Sequence, residues 1–337
     1  QIVNIGLIQM SADPLNVQEN LSKAAHYIAQ TAKDGADLAV LPEMFSVGFS
    51  TSEKLAKLGE DLDGYTVTWL KDQAEKHNIY ITTSVFEKFD GHFYNTMVMV
   101  GSDRSLQIYR KRNPTCQERI VWKRYDEPGP GIFETPFGRV GGAICFDSFA
   151  KETFEGFRQS SVELVIIVAL WGTILPMLKH PDSIYFNRLL KHQSRLASEV
   201  VPYKYATELK VPAVYVNQIG RVKLPITHPR FYPSPDWAHS EYEFVGNSNV
   251  HDETGKKLIN GVESKAEFSA VAAVNINQPK ERSEISRVDL PPDYLDKNYY
   301  FVKPPFMFRL YQSLWFTGFE KKYEKMCRRY NGAIENY

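Results

Sequence analysis

Short apolar runs alternate along this chain with segments whose apolar residues recur at steps of three and four. Residues 2–10 and 38–41 have the first pattern, typical of buried strands, and the segment between them has the second, which predicts a helix. Asn16 stands three residues before Glu19, the spacing of a capping box, and Gly35 follows the last apolar position of the helix. The chain therefore begins with a predicted strand–helix–strand unit.

The same alternation continues to about residue 276. Helices are predicted over residues 65–77, 145–157 and 189–209, the last broken near Pro202, and strands over 80–86, 93–100, 106–109, 141–144, 164–170, 213–217, 244–251 and 268–276. Turn residues occupy 101–103 and 252–255. Because strands and helices alternate with no linker, we predict one α/β domain whose sheets are covered by helices on their outer faces.

The last part of the chain has a different pattern. From about residue 289 it is rich in Pro, Tyr and Phe, and it continues into a basic stretch. We divide the chain into a domain over residues 1–285 and a C-terminal tail over 286–337, and expect the tail to pack on another subunit. A membrane-surface helix, with its basic residues toward lipid headgroups, is the alternative.

The composition of the chain limits the classes of protein to which it could belong. The chain has 337 residues, 43% hydrophobic and 24% charged, as in average globular domains, and its 40 basic residues balance 40 acidic ones. Because the charges balance, we expect no overall positive electrostatic field that would attract nucleic acid. No run reaches the roughly 18 consecutive apolar residues of a transmembrane segment. The three cysteines are too few for a disulfide framework, which favours a cytoplasmic location, and the eight histidines lack metal-ligand spacing.

Three chemically active side chains follow strand-like runs. Glu43 comes after residues 38–41, Lys111 after the run that ends at residue 110, and Cys145 directly after residue 144. A cysteine nucleophile needs a base and a positive field, which a buried carboxylate and an ammonium supply. Together they suit addition of a thiol to a C=O or C≡N carbon. The alternatives are a core cysteine and a surface ion pair.

The segments around these residues carry a resemblance. Residues 41–43 (Leu-Pro-Glu), 109–111 (Tyr-Arg-Lys) and 138–147 (Gly-Arg-Val-Gly-Gly-Ala-Ile-Cys-Phe-Asp) resemble, in order and spacing, the three signature segments of the nitrilase superfamily of carbon–nitrogen hydrolases. Similar strand and turn sequences at residues 216–220 and 246–255 extend the resemblance to about residue 276.

The resemblance implies a four-layer αββα sandwich in which Glu43, Lys111 and Cys145 converge at one rim. Cys145 would attack the substrate carbon, and water would hydrolyse the resulting thioester or thioimidate. Glu43 would be the general base and later acid, while Lys111 and the backbone N–H of Phe146 would stabilise the tetrahedral intermediate. No metal or organic cofactor is implied. Members of this family typically form dimers and often larger assemblies, which implies a homodimer or larger homo-oligomer and suits the aromatic tail.

Two further positions match the family. Glu118 lies in the loop after Lys111, where many members carry a second active-site glutamate; a solvated loop charge, or Glu127 in that role, is the alternative. Trp171 follows a buried strand where the family's pockets are lined, and a core position is the alternative. Aromatic and proline-rich loops over residues 171–191 and 222–239 favour a substrate with a hydrophobic or extended portion.

Two features of the sequence point to different branches of the family. Residues 114–122, Pro-Thr-x-x-Glu-Arg-x-x-Trp, are similar to the nitrilase branch, whereas Cys145 and the Phe-Asp after it are more similar to the amidase and carbamoylase branches. The neighbours of the nucleophile contact the scissile group, so we expect an amidase acting on a small molecule, with a nitrilase as the alternative. An acyl transferase would use the same residues, and intact Glu, Lys and Cys disfavour a non-catalytic scaffold.

Overall fold

The computed structural model describes residues 1–115, 118–127, 129–174, 196–225, 239–261 and 266–276, with the single positions Tyr323, Glu324 and Cys327. The first of its sheets has six strands. In spatial order they are β15 (Phe268–Asn275), β1 (Ile2–Gln9), β2 (Leu38–Val40), β3 (Tyr80–Phe89), β4 (His92–Val100) and β5 (Leu106–Arg110). The central strands β1, β2 and β3 are parallel, and the outer strands pair antiparallel.

A second six-stranded sheet faces the first. Its spatial order is β14 (Lys257–Asn260), β13 (Asn249–His251), β10 (Ala213–Asn217), β8 (Leu164–Ala169), β7 (Gly138–Ile144) and β6 (Gly131–Thr135). Strands β7, β8 and β10 are parallel, so their carboxyl ends meet at one edge. A small third sheet contains β11 (Ile219–Pro225), β12 (His239–Val245) and β9 (Gly172–Ile174).

Helices cover the outer faces of both large sheets. Helices α1 (Val17–Lys33) and α2 (Tyr65–His77) pack on the first sheet, and α3 (Lys151–Gln159) and α4 (Val201–Leu209) pack on the second. Alternation along β1 explains this arrangement, because Ile5 and Leu7 join the core between the sheets while Ile8 packs against α1. The layers are helix, sheet, sheet and helix, which confirms the predicted αββα sandwich.

The two ends of α1 differ in how well they were predicted. Gly35 has φ 88°, the left-handed conformation expected after the helix. The capping box predicted at the N-terminal end is wrong, because the Asn16 side chain makes no hydrogen bond to the helix backbone. Its amide instead donates to the carboxylates of Glu19, at 2.7 Å, and Asp13, at 3.2 Å.

Two predicted elements are divided in the structure. The helix predicted over 145–157 is a short 3₁₀ helix, Cys145–Phe149, followed by α3, and extended backbone at Ala150 separates the two. The segment predicted as one strand over 244–251 belongs to two strands in different sheets, the end of β12 and all of β13. The two are separated at Gly246 and Asn247, which both adopt a left-handed φ of 60°. Apolar periodicity does not reveal such a change of sheet.

The helix predicted over 189–209 is described from residue 196. A π-helical turn, Leu196–Val200, comes directly before α4, so the regular α-helix begins at Val201, close to the break predicted near Pro202. Pro202 lies in the first turn of α4, where its missing N–H removes no helical hydrogen bond. Residues 189–195 lie outside the described part of the chain.

Most of the predicted C-terminal tail also lies outside the described residues. Tyr323 and Cys327 are buried in one apolar cluster with Phe93 and Trp122, and the Tyr323 hydroxyl accepts the backbone N–H of Phe93 at 2.9 Å. The division at residue 285 and the packing of the tail on another subunit stay predictions. No helix within the described residues is long and apolar enough to cross a membrane.

The close approach of the two sheets makes Gly142 sensitive to added volume. A Cβ at this position would overlap the Phe133 ring and lie 2.7 Å from the Met97 sulfur of the opposite sheet. We expect Gly142→Ala to lower the free energy of unfolding by about 1–3 kcal/mol, measured by urea denaturation. The control is Gly141→Ala, whose Cβ would meet the Phe157 ring at 3.0 Å. A loss at Gly142 no larger than at Gly141 would contradict this packing.

Candidate active site

The ends of β2 and β5 bring a carboxylate and a cation together. Glu43 follows β2 and Lys111 follows β5, and the Lys111 ammonium lies 2.8 Å from a Glu43 carboxylate oxygen. Both side chains are 0% exposed. The ion pair is therefore buried, and the alternative of a surface pair is wrong.

Glu118 adds a second carboxylate to the same ammonium. It begins a short 3₁₀ helix, Glu118–Ile120, and one of its oxygens lies 2.6 Å from the Lys111 ammonium. Its other oxygen accepts the backbone N–H of Thr115 at 2.5 Å. Glu118 is buried, so the alternative of a solvated loop charge is wrong, and Glu127 is exposed.

The two oxygens of Glu43 have different surroundings. One oxygen, Oε1, accepts from Lys111 and from the amide of Asn95, the latter at 2.6 Å. The other, Oε2, is buried and has no hydrogen-bond partner among the described residues. A carboxylate held through one oxygen in this way leaves the second available to accept a proton.

The backbone on both sides of Glu43 is fixed by β3. The hydroxyl of Thr83 donates to the carbonyl of Pro42 at 2.8 Å, and the hydroxyl of Ser84 accepts the N–H of Met44 at 3.0 Å. These buried hydrogen bonds hold the carboxylate against the first sheet.

Cys145 stands at the carboxyl end of β7, in the second sheet. Its φ is 47°, a left-handed conformation that turns the chain sharply where the strand ends. The hydroxyl of Ser148 donates to the carbonyl of Cys145 at 2.7 Å and closes the turn. The thiol is buried and lies close enough to Glu43, Lys111 and Glu118 for their charges to act on its pKa.

Burial and mutual charge set the protonation of this group. The pKa of Glu43 is raised to about 7, because burial and the charge of Glu118 raise it more than the charge of Lys111 lowers it. Burial alone lowers the pKa of Lys111, but Glu118 and Glu43 raise it well above its ordinary value. Burial and Glu43 raise the pKa of Cys145 well above that of a free thiol. Near neutral pH the group holds an ammonium, a neutral thiol and a carboxyl close to its midpoint, which suits general-base activation of the thiol.

Asp147 connects the turn at Cys145 to the segment around Lys111. Its carboxylate accepts the backbone N–H and the side-chain amide of Asn113, at 2.7 and 2.9 Å, and the hydroxyl of Tyr109 at 3.0 Å. Sequence reasoning gave Asp147 no such role and missed Asn95 altogether. The available signal for Asn95 was a polar residue within the apolar strand run 93–100.

Aromatic rings pack together around the segment that follows Cys145. The ring of Phe146, next to Cys145, stacks on Trp171 at a centroid distance of 6.0 Å, and Phe149 lies 5.1 Å from Trp171. We call these three rings the aromatic wall. Trp171 is half-buried and packs on the core, and its role in lining a substrate pocket stays a prediction. Oxyanion stabilisation by the Phe146 N–H stays a prediction.

The described residues contain no group of three or more His, Cys, Asp or Glu side chains that would hold a metal ion. The chemistry at hand is that of the thiol, the carboxylates and the ammonium. Fold and site together define an αββα protein with a buried Glu–Lys–Cys group where strands of both sheets end.

The family to which such a chain belongs follows from comparison with known sequences. The family model described as "Carbon-nitrogen hydrolase" matches residues 4–279. The chain belongs to this family, which confirms the resemblance found in its three signature segments.

Individual relatives carry several activities. A nitrilase of Pyrococcus abyssi is 34% identical over 155 residues, which are 45% of this chain and 59% of that protein. A 2-oxoglutaramate amidase of Bacillus subtilis is 30% identical over 187 residues, 53% of this chain and 69% of that protein. A citrullinase of Francisella tularensis is 26% identical over 218 residues, 61% of this chain and 75% of that protein.

Solved structures share the fold. A carbon–nitrogen hydrolase from Helicobacter pylori G27 superposes with a TM-score of 0.67 at 20% identity, covering 82% of this chain and 90% of that one. An amidase mutant from Nesterenkonia sp. AN1, with the acetamide moiety of fluoroacetamide added covalently at its active site cysteine, gives a TM-score of 0.61 at 17% identity, covering 80% of this chain and 89% of that one.

The raised pKa of Glu43 predicts a pH dependence for the reactivity of Cys145. The carboxylate form is lost as the pH falls through about 7, and only this form can accept the thiol proton. We expect alkylation of Cys145 by iodoacetamide to slow by about tenfold for each pH unit below that point, measured by mass spectrometry of its peptide.

The variant Glu43→Gln should react slowly and lose the break near pH 7, because an amide cannot accept the proton; its rate should rise steadily with pH as the thiol itself ionises. The matched control is Glu127→Gln, which removes an exposed carboxylate and should keep the wild-type profile. A wild-type rate with no break between about pH 6 and 8 would exclude Glu43 as the base.

Proposed function

We propose that this protein hydrolyses the carbon–nitrogen bond of a small-molecule amide through a thioester on Cys145. The observation that carries the proposal is the neutral, buried thiol close to Glu43, whose pKa lies at about 7 and whose Oε2 has no partner among the described residues. A carboxyl with this pKa is matched to proton transfer at neutral pH.

The first half of the reaction forms the thioester. Glu43 takes the proton of the Cys145 thiol as the sulfur attacks the carbonyl carbon, and the oxygen becomes an oxyanion near Lys111. The Lys111 ammonium and the backbone N–H of Phe146 stabilise that charge. Glu43 then gives its proton to the nitrogen, the carbon–nitrogen bond breaks, and ammonia or an amine leaves.

The second half releases the acid. Glu43, again ionised, takes a proton from water, whose oxygen attacks the thioester carbon. The carbon–sulfur bond breaks as the sulfur recovers the proton from Glu43, and the carboxylic acid departs. The same two-way use of one carboxyl group as base and acid explains why a pKa near neutrality suits this site.

Glu118 supports Lys111 in this scheme. Two carboxylates keep the ammonium charged although it is buried, and the hydrogen bond at 2.6 Å fixes its direction. Lys111 therefore acts as a fixed positive charge and not as a base.

Amide hydrolysis is favoured over nitrile hydrolysis by the residues that follow the nucleophile, Phe146 and Asp147, which resemble the amidase branches. Nitrile hydrolysis is the second candidate, supported by the pattern over residues 114–122 and by the similarity to the Pyrococcus nitrilase. Acyl transfer from the same thioester to an amine is the third. A homo-oligomeric state and a cytoplasmic location stay predictions.

Ammonia release across matched nitriles, primary amides and N-carbamoyl compounds tests the proposed reaction. We expect release from primary amides, and formation of hydroxamate when hydroxylamine is added to trap the thioester. Cys145→Ala should abolish both, whereas Cys327→Ala should not. Ammonia from nitriles alone would refute the amidase proposal, and acyl transfer without free acid would favour the transferase.

The role of Glu118 is tested by Glu118→Gln, which removes one of the two charges that hold Lys111. We expect kcat/KM for the best amide to fall at least about tenfold, because the ammonium loses its fixed position. Glu127→Gln provides the exposed control. Equal kinetics in the two variants would show that Glu118 does not support the reaction.

A further inference from the structure

We infer that the consecutive residues Asn217 and Gln218 position two different parts of this site: Gln218 holds the proposed general base Glu43, and Asn217 holds the aromatic wall at Trp171. The inference rests on the proposed function for the role of Glu43, and it deepens that proposal. It assigns a task to residues 216–220, whose sequence alone indicates only the family resemblance.

Gln218 spans the gap between the two sheets. It directly follows β10 in the second sheet, is fully buried, and donates its side-chain amide to the main-chain carbonyl of Glu43 at 2.8 Å. Its own backbone is fixed, since its N–H donates to Ala169 at 3.3 Å and its carbonyl accepts Gly246 at 3.0 Å. The end of β10 therefore holds the backbone of Glu43 from a side that β3 does not reach.

This contact matters because the base and the nucleophile belong to different sheets. The hydrogen bonds from Thr83 and Ser84 fix Glu43 relative to the first sheet, whereas Cys145 ends β7 in the second sheet. Proton transfer requires the thiol and the carboxylate to stay within hydrogen-bond reach. Gln218 is anchored in the sheet that carries Cys145, and so it holds Glu43 in register with the thiol.

Asn217 holds the main chain of Trp171 from both sides. Its side-chain oxygen accepts the Trp171 N–H at 2.8 Å, and its side-chain amide donates to the Trp171 carbonyl at 2.9 Å. The same amide donates to the carbonyl of Gly246 at 3.0 Å. Because the Trp171 ring stacks on that of Phe146, the residue after Cys145, Asn217 fixes where the aromatic wall stands.

The two residues therefore have separable consequences. Loss of the Gln218 contact acts on proton transfer and slows reaction with any electrophile, large or small. Loss of the Asn217 contacts acts on the wall and selectively slows electrophiles that carry a ring. A purely structural role would not divide the effects in this way.

Asn249 provides a matched control. It is also a fully buried asparagine, and its amide donates two hydrogen bonds, to Ser198 at 2.7 Å and to Asn247 at 2.8 Å. These bonds go neither to Glu43 nor to Trp171. Asn249→Leu thus removes the same kind of buried contact as Asn217→Leu without touching either side of the site.

The experiment measures alkylation of Cys145 by iodoacetamide and by its N-phenyl derivative, with peptide mass spectrometry. We expect Gln218→Met to slow both probes by about tenfold to hundredfold. Its acidic limb should move to higher pH, because a displaced Glu43 loses the contact with Lys111 that favours its charged form. The titratable groups that act on or respond to Glu43 are Lys111, Glu118, Cys145, Tyr215 and Tyr242.

Asn217→Leu should slow the N-phenyl probe by about tenfold while the rate with iodoacetamide changes by less than about threefold. Unchanged rates in either variant, or the same changes in Asn249→Leu, would overturn the inference. If Gln218→Met does not fold, Gln218→Asn keeps the amide but shortens its reach and carries the same expectation. The readout is thiol alkylation and not turnover, so a failure of the proposed amidase activity is seen separately.

Discussion

The whole site depends on one buried cation between two carboxylates. Lys111 has no exposed surface, and an ammonium so placed costs several kcal/mol of lost hydration unless it is paired. Glu43 and Glu118 supply that pairing from two different segments. The single positive charge of Lys111 compensates only one of the two carboxylates. Burial and the negative charge of Glu118 therefore raise the pKa of Glu43.

The site also requires both of the facing sheets. Glu43 and Lys111 come from strand ends of the first sheet and Cys145 from a strand end of the second, so the chemistry lies where the sheets meet. Hydrogen bonds across that junction, from Gln218 to Glu43 and from Asn113 to Asp147, fix the groups relative to each other. Burial there raises the pKa of the thiol and keeps it neutral.

The sequence predicted the elements and the grouping of three side chains better than the residues that support them. Glu43, Lys111 and Cys145 were found because each follows an apolar run, which is a local pattern. The contact of Gln218 with Glu43 joins residues 175 positions apart and depends on the register of two sheets, which no local pattern records. The unbroken strand predicted over 244–251 failed for a related reason, since the left-handed Gly246 and Asn247 move the chain from one sheet to another.

The most direct test of the proposed thioester mechanism is the mass of the Cys145 peptide when turnover of a hydrolysed amide is stopped with acid. That mechanism predicts an added acyl group on Cys145, removable by hydroxylamine, and no adduct on Cys327. Steady release of ammonia with an unmodified Cys145, or release that persists in Cys145→Ala, would contradict it.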